Sequence, residues 1–386
     1  MPPAALTPTP PRAHGLRIVV NGRCLIPPRT GVGRYCAGLL GALATRPEVE
    51  HITAFCGSAL DGKRRLADRF FRTPLVPRLT ARLLAGPAVR HLARRLGGAI
   101  YFEPNYMLVK YSGPAIATIH DLSALRFPEF HPARRVRLHE RHLRSTLARA
   151  DHLLTVSELV RREVMDLFGV APGRITAVPC GVERSFRPRP LGDATLCRTL
   201  ARHGLVAGGY VLSVGTLEPR KNLDTLLTAW QGLPAALRRE HPLVLAGTSG
   251  WKSARLESRL VTLENAGCVR RLGFVPETDL PALYAGARLF VYPSLYEGFG
   301  LPPLEAMAAG VPVVTSRGTA MEEVAAGAAL LVEPRDPDEL GRALANALGS
   351  PELLRDLATR GLARAAEFNW ERAADAIVAL LEGLGA

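Results

Sequence analysis

Aromatic residues are scarce: Phe, Trp and Tyr make up 6% of the 386 residues. A protein that grips nucleic acid by stacking bases interleaves aromatics with its cations. The basic segments Lys63–Arg95 and Arg134–Arg149 are instead rich in Arg, Leu and Ala, and Phe70 and Phe71 are their only aromatics. That weighs against a nucleic-acid partner and fits an amphipathic, membrane-surface face better, with a plain solvated helix face as the alternative. No apolar run reaches the roughly 18 to 20 residues that a membrane-spanning helix needs. The first 14 residues, MPPAALTPTPPRAH, lack the apolar centre of a signal peptide and read as a disordered Pro-rich tail. The six cysteines (Cys24, Cys36, Cys56, Cys180, Cys197 and Cys268) form no CxxC and no His-paired metal spacing. A disulfide framework is thereby disfavoured, and a reduced, cytoplasmic setting is the expectation. There is no fixed-period repeat, so no solenoid or propeller.

Negative charge is the other deficit. Asp and Glu number 35 against 49 Lys and Arg, a net of +14. The deficit sits in one half. Residues 1–190 hold 30 Lys and Arg against 13 Asp and Glu, a net of +17, while residues 191–386 hold 19 against 22, a net of −3. What the chain does have is apolar material, 47% of it, which excludes a disordered or fibrous polymer. Its length suits two ordinary domains.

Short β-branched runs alternate with longer helical ones. Strands are expected at Leu16–Val20, His51–Phe55, Ala99–Phe102, Ala115–Ile119, His152–Val156 and Ile175–Val178. Helices are expected from about Gly33 to Leu43, at Pro132–Ala150 and at Glu158–Phe168. Arg187 to Asp193 is a Pro-rich polar linker. Alternation then restarts, with a helix at Leu196–His203 and strands at Tyr210–Val214, Leu243–Ala246, Cys268–Leu272, Leu289–Tyr292, Val311–Thr315 and Ala329–Val332. The tail from about Pro337 to Leu384 is helical. The pattern predicts α/β domains with parallel sheets, and ligands bind such sheets beyond the carboxyl ends of the strands. The expected boundaries are a tail at 1–14, an amino-terminal Rossmann-like domain at 15–186, a linker at 187–195, a second Rossmann-like domain at 196–368 and a last helix at 369–386.

Four loops carry candidate chemistry. In Glu297-Gly298-Phe299-Gly300-Leu301-Pro302-Pro303-Leu304-Glu305, the glycines permit a sharp turn and the prolines suit a helix start. Free N–H groups around Gly300 and Leu301 then favour a phosphate. Glu305 alone would pass as a first-turn carboxylate favoured by the helix dipole. Two carboxylates, two glycines and a double proline together point to a ligand. In Gly215-Thr216-Leu217-Glu218-Pro219-Arg220-Lys221, the two cations at the end of a strand could clamp a diphosphate as it leaves. Thr30-Gly31-Val32-Gly33-Arg34 follows the first strand, but Cys36 breaks a GxGxxG fingerprint, so a dinucleotide site is weak. His120 opens the loop after Ala115–Ile119 and is either structural or a donor to a substrate hydroxyl. Asp336-Pro337-Asp338 imitates a metal-binding DxD, yet it opens a helix, where acids are ordinary caps. No metal and no cofactor are expected.

Together these stretches resemble the retaining GT-B glycosyltransferases of family 4 (group 1). EGFGLPPLE is similar to that family's E-x7-E signature, and the order GVGRY, IHDLS, GTLEPRKN, EGFGLPPLE, GVPVV follows the family from Leu16 to the carboxyl terminus. GTLEPRKN resembles the branch of bacterial mannosyltransferases of O-antigen and exopolysaccharide assembly. The resemblance implies two Rossmann-like domains facing an interdomain cleft. It implies that Glu297 contacts the donor sugar, that Glu305 holds the ribose, and that the backbone of Phe299, Gly300 and Leu301 meets the sugar and phosphates. Lys221 would be the diphosphate lysine, in a loop opened by Gly215 and Thr216. The base would stack near Phe274 and read the backbone of Val275. Gly31 and Gly33 would line the phosphate side and His120 the donor–acceptor side. The sequence departs from the family at Thr216, where many members carry an Arg. Arg220 is the candidate for the missing cation.

The implied reaction moves a hexose from a nucleotide-diphosphate sugar to a saccharide or lipid-linked acceptor with retention. GDP-mannose is the first choice of donor, and a dTDP- or UDP-sugar the alternative. The acceptor is expected at the inner, anionic face of the cytoplasmic membrane, where the protein would be peripheral. A basic nucleic-acid- or membrane-binding protein, a GT-B epimerase and an inactive paralogue are the competing readings. Intact Glu297, Glu305 and Lys221 argue against the last.

Overall fold

A computed structural model of the chain describes residues 15–26, 30–55, 59–61, 78–251 and 253–384. The tail expected at 1–14 and residues 63–77 of the first basic segment lie outside the described residues. Thirteen strands form among the described residues. They are β1 (Leu16–Asn21), β2 (Val49–Phe55), β3 (Ala59–Asp61), β4 (Ile100–Glu103), β5 (Ala115–Ile119), β6 (His152–Thr155), β7 (Ile175–Ala177), β8 (Val211–Val214), β9 (Leu243–Ala246), β10 (Val269–Gly273), β11 (Leu289–Tyr292), β12 (Val313–Ser316) and β13 (Leu330–Val332). β5, β9 and β11 are short, almost wholly apolar and buried at every residue, as strands covered on both faces must be.

One sheet has seven strands in the order β3-β2-β1-β4-β5-β6-β7, and the other six in the order β10-β9-β8-β11-β12-β13. Every neighbouring pair of the six-stranded sheet is parallel. In the first sheet β1 is parallel to β2 and β4, β6 is parallel to β7, and the short strand β3 runs antiparallel to its neighbour β2. Chain contacts divide the protein into two compact units. One falls within Met1–Pro104, Val109–Ile116 and Ala374–Ala386, and the other within Asn105–Leu108 and Ala117–Ala373.

The first unit is built on β1. Ile18, Val19 and Val20 are fully buried, and the helix Gly31–Leu43 lays Tyr35, Cys36, Leu39, Leu40 and Leu43 into the core at helical spacing. That helix starts two residues before the sequence pattern indicated. Thr30 is extended (φ −97°, ψ −177°) and forms the cap. Gly31 and Gly33 therefore sit in the first helical turn and not in a loop ahead of it. At the carboxyl end of β4, buried Glu103 accepts from Asn21 Nδ2 (2.7 Å) and Tyr101 Oη (2.6 Å).

The second unit centres on β8 and β11. Its core gathers Val211, Leu226, Leu227, Trp230, Leu245, Leu260, Val291, Leu340 and Leu344. The helices Leu223–Gly232 and Pro337–Gly349 pack on each other beside this sheet. Asp336 caps the second of them, accepting from the amides of Asp338 (2.9 Å) and Glu339 (2.8 Å). The DxD look-alike is thus an N-cap. The helix Glu158–Phe168 starts on Ser157, whose hydroxyl accepts from Val160, and ends on Gly169 at φ +64°.

Candidate functional site

The order of the six-stranded sheet fixes where a ligand belongs. The chain winds from β8 outward to β9 and β10, then returns to pair β11 with the other side of β8. The winding direction reverses between β8 and β11, and crevices at such switch points are the binding sites of open α/β sheets. Two of the loops singled out in the sequence leave the carboxyl ends of these two strands.

The loop after β8 runs through Gly215 and Thr216 into a turn at Pro219–Lys221, which presents both cations. The loop after β11 runs through Pro293 and Ser294 to Glu297. Their side chains meet. Glu297 Oε1 accepts from Lys221 Nζ (2.5 Å), Ser294 Oγ (2.7 Å) and Tyr292 Oη (3.0 Å). Its Oε2 lies 2.8 Å from Arg220 Nη1. Arg220 also donates to Glu218 Oε1 (2.8 Å) and to the Tyr296 carbonyl (2.7 Å). Lys221 donates to Tyr292 Oη as well (2.5 Å).

The electrostatics follow from this packing. Burial alone would raise the Glu297 carboxyl, but the charges of Arg220 and Lys221, with the hydrogen bonds from Lys221 and Ser294, hold it down at about 2. Burial pulls Arg220 toward deprotonation, and Glu297, Asp121 and Glu218 more than offset it, so its pKa rises. Lys221 moves the other way: burial and then the Arg220 charge lower it, against Glu297. The result is a dry set of two cations and two carboxylates. The amine is the member most easily relieved of its proton.

Backbone geometry presses the Glu297 loop into place. A Cβ on Gly298 would lie 1.7 Å from the carbonyl oxygen of His120, so the two loops touch where only glycine fits. Ser157 Oγ donates to the Gly298 carbonyl (2.7 Å). Gly300 (φ +108°) caps the helix Leu301–Ala308, and a Cβ there would fall 2.7 Å from Met321 Cγ. Asn222 adopts φ +58° and donates to the carbonyl of Pro293 (2.9 Å) and to that of Pro334, tying the ends of β8, β11 and β13.

The structure thus brings Arg220, Lys221 and Glu297 into one cluster, with the backbone of His120 against Gly298. Glu305 is buried (4% exposed) on the helix that Gly300 opens. Leu301 is half-buried at its first position, and the side chain of Phe299 packs edge-on to Phe368 at 5.8 Å. Gly215 sits 3.7 Å, at the position of an added Cβ, from Lys221 Cε, while Thr216 is exposed. Val275 is buried and its neighbour Phe274 is 63% exposed just beyond β10. Gly31 and Gly33 belong to the first unit. Tyr292, Ser294, Glu218 and Asn222 were not singled out in the sequence. Ser294 and Tyr292 precede Glu297 by three and five positions, so a close reading of the strand end could have found them.

Comparison with known proteins adds a further set of findings. A family model described as glycosyl transferases group 1 matches residues 206–364, and one described as glycosyltransferase family 4 matches residues 29–186. The chain is 39% identical over 361 residues to the O-antigen chain mannosyltransferase B of Escherichia coli, covering 89% of this chain and 93% of that protein. It is 34% identical over 236 residues to the MMP alpha-(1->4)-mannosyltransferase of Mycolicibacterium hassiacum, covering 60% of this chain and 53% of the relative. Among solved structures, a sucrose-phosphate synthase from Thermosynechococcus elongatus superposes with a TM-score of 0.73 at 20% identity, covering 96% and 99% of the two chains. WaaG, a glycosyltransferase involved in lipopolysaccharide biosynthesis, superposes with a TM-score of 0.71 at 17% identity, covering 95% and 100%. At such identities the likeness concerns the fold alone.

Proposed function

This chain belongs to the family 4, group 1 glycosyltransferases and has their GT-B fold, and from that premise we propose that it transfers mannose from GDP-mannose to a saccharide or lipid-linked acceptor, with retention, in the assembly of a cell-surface polysaccharide. The observation that carries this reading is the Lys221–Glu297–Arg220 cluster at the β8/β11 switch point. The named activity of the E. coli relative supports mannose as the sugar.

In the proposed reaction the bond between the anomeric carbon and the phosphate oxygen breaks, and its electron pair leaves with the diphosphate. Lys221, Arg220 and the backbone amides of Gly300 and Leu301 stabilise that growing charge. Glu297 faces the positive charge developing on the sugar. The acceptor hydroxyl attacks from the side the diphosphate leaves, and its proton passes to the departing phosphate oxygen. Configuration is thereby kept without a covalent enzyme intermediate of the glycosidase kind. Glu305 holds the ribose, and the base lies at Phe274–Val275. Protein groups supply the countercharge, so no metal takes part. The acceptor is presented at an anionic membrane surface.

A nucleoside-diphosphate panel in thermal shift tests the donor. GDP is expected to raise the midpoint, and UDP and dTDP are not, because only binding to the native state stabilises. Stabilisation by UDP or dTDP alone sinks the GDP-mannose assignment. In the same preparation, transfer is expected to persist in EDTA, and the anomeric configuration of the product read by NMR tests retention.

A further inference from the structure

Glu297 is held through both of its neighbours in sequence, and each neighbour reaches the same loop. On the carboxyl side, Gly298 lies so close to the loop after β5 that an added Cβ would be 1.7 Å from the His120 carbonyl oxygen and 3.0 Å from Asp121 Cβ. On the amino side, the hydroxyl of Tyr296 accepts from the Leu122 amide (3.2 Å) and donates to Glu163 Oε2 (2.5 Å). Tyr296 and Leu122 are both buried. Glu163 lies on the helix Glu158–Phe168, and its other carboxylate oxygen is 3.4 Å from Arg126 Nε.

The direction of these bonds is fixed by their chemistry. Burial, then the charges of Asp121 and Glu163, push the Tyr296 phenol well above its ordinary value, so it keeps its proton. An amide N–H can only donate, so the hydroxyl offers Leu122 a lone pair and gives its one proton to Glu163. That proton is committed inside the protein, and Tyr296 has none to give to a sugar or a phosphate.

The backbone around Tyr296 is bound as well. Arg220 Nη1 donates to the Tyr296 carbonyl (2.7 Å), and the Leu295 amide donates to the Arg220 carbonyl (2.9 Å). The ring packs on Phe127 with centres 5.4 Å apart, tilted by 50°. One residue therefore joins the loop after β8, the loop after β5 and the helix Glu158–Phe168, immediately before the acid of the cluster. Tyr210 provides the contrast. Its phenol is equally buried, but it stands at the amino end of β8 and donates to the Leu283 carbonyl (2.5 Å).

We propose that Tyr296 is a positioning residue for sugar transfer: its hydroxyl, oriented by Glu163, pins the Glu297 loop to the loop after β5 and so sets where the Glu297 carboxylate stands. The proposal rests on reading the Glu297 cluster as the transfer site.

The test compares Tyr296→Phe with Tyr210→Phe in the full chain. Each removes one buried phenol hydroxyl and keeps the ring. Amide exchange read by mass spectrometry, with no substrate present, reports the clasp itself. Tyr296→Phe is expected to speed exchange in residues 118–124 and 294–300 together by about tenfold, and Tyr210→Phe is expected to leave both segments as in wild type. Mannosyl transfer from GDP-mannose reports the consequence. Tyr296→Phe is expected to lose about 10- to 10²-fold in kcat while GDP affinity, read by calorimetry, changes by less than about twofold, and Tyr210→Phe is expected to keep its kcat. Glu163→Ala should lose kcat as well. Glu163→Gln, whose amide oxygen still accepts the phenol proton, should recover most of that loss, and this pair carries the comparison if Tyr296→Phe does not fold. Combining Tyr296→Phe with Glu163→Ala should cost no more than Tyr296→Phe alone, since both act through one hydrogen bond. Unchanged exchange in both loops overturns the proposal, as does wild-type kcat in Tyr296→Phe or a double variant whose losses multiply. An equal fall in kcat in Tyr210→Phe overturns it too, because any lost buried hydroxyl would then suffice. If wild type moves no mannose from GDP-mannose, the donor reading fails, and the same kcat comparison is made with the nucleotide sugar whose diphosphate raises the thermal midpoint.

Discussion

Glu297 receives Lys221, Tyr292 and Ser294 on one oxygen and Arg220 on the other. Its carboxylate is therefore the countercharge that allows two cations to lie side by side out of water, and in the proposed reaction a donor diphosphate must compete with it for both. Linkage makes this measurable. The carboxyl sits at about 2 in the folded protein against an ordinary value of 4.5. A depressed carboxylate stabilises the fold above its unfolded pKa, and the contribution is lost as pH falls from about 4.5 toward 2. The full effect is about 3 kcal/mol. Glu297→Gln is expected to be less stable than wild type at pH 7 and to lack this part of the acid loss. Thermal midpoints at several pH values check it, and parallel curves for the two proteins would count against the ion cluster. For chemistry, Lys221→Ala is expected to cost about 10²- to 10³-fold in kcat, as removal of one preorganised charge-stabilising donor does. Wild-type turnover in that variant would remove Lys221 from the site.

At the level of elements, the site is two strand ends and the loops that leave them. Gly298 shows how tightly they are set, because an added Cβ would overlap the His120 carbonyl at 1.7 Å. Gly298→Ala must push the Glu297 loop off the His120 loop. The expected outcome is a folded protein with transfer reduced by about 10²-fold, the scale on which a misplacement of about 1 Å acts. Gly41→Ala, with nothing within 4 Å of an added Cβ and no place in the site, is the steric control and is expected to fold and transfer normally. Circular dichroism and a transfer assay on both variants separate misplacement from misfolding. The same elements show what could be read without coordinates. Ala115–Ile119, Glu158–Phe168, Leu243–Ala246 and Leu289–Tyr292 are found where apolar runs and caps put them, since those signals are local. Glu297, Arg220 and Lys221 were legible as an acid and two bases at strand ends. That they neutralise one another was not, because their pairing joins positions 76 residues apart in sequence.

Over the whole chain, the +14 charge separates into +17 before residue 191 and −3 after it. The nucleotide-side sequence is therefore close to neutral, and its few cations at the site are matched by Glu218 and Glu297. The excess lies elsewhere. Along Ala133–Leu147, the residues Arg134, Arg137 and Arg141 are exposed together with Leu138 (38%), while His139, Leu143, Thr146 and Leu147 face inward. Glu140 is the one acid of this helix, and it is taken by Arg144 at 2.9 Å. No described helix is long and apolar enough to cross a membrane. A surface of unmatched guanidinium groups around one apolar side chain is suited to anionic headgroups, where each cation contributes about 1 kcal/mol. The chain is therefore expected to co-sediment with phosphatidylglycerol vesicles and not with phosphatidylcholine vesicles. Binding should weaken as salt shortens the screening length from about 30 Å at 0.01 M to about 8 Å at 0.15 M. Replacing Arg134, Arg137 and Arg141 by Gln should remove about 3 kcal/mol at low salt, near a hundredfold in partitioning. The GDP-induced thermal shift should remain, because these side chains are not part of the cluster at β8 and β11. If the triple variant binds vesicles as wild type does, this helix is only a solvated face. If wild type shifts DNA in a gel at physiological salt and ignores anionic vesicles, the charge serves a nucleic acid instead.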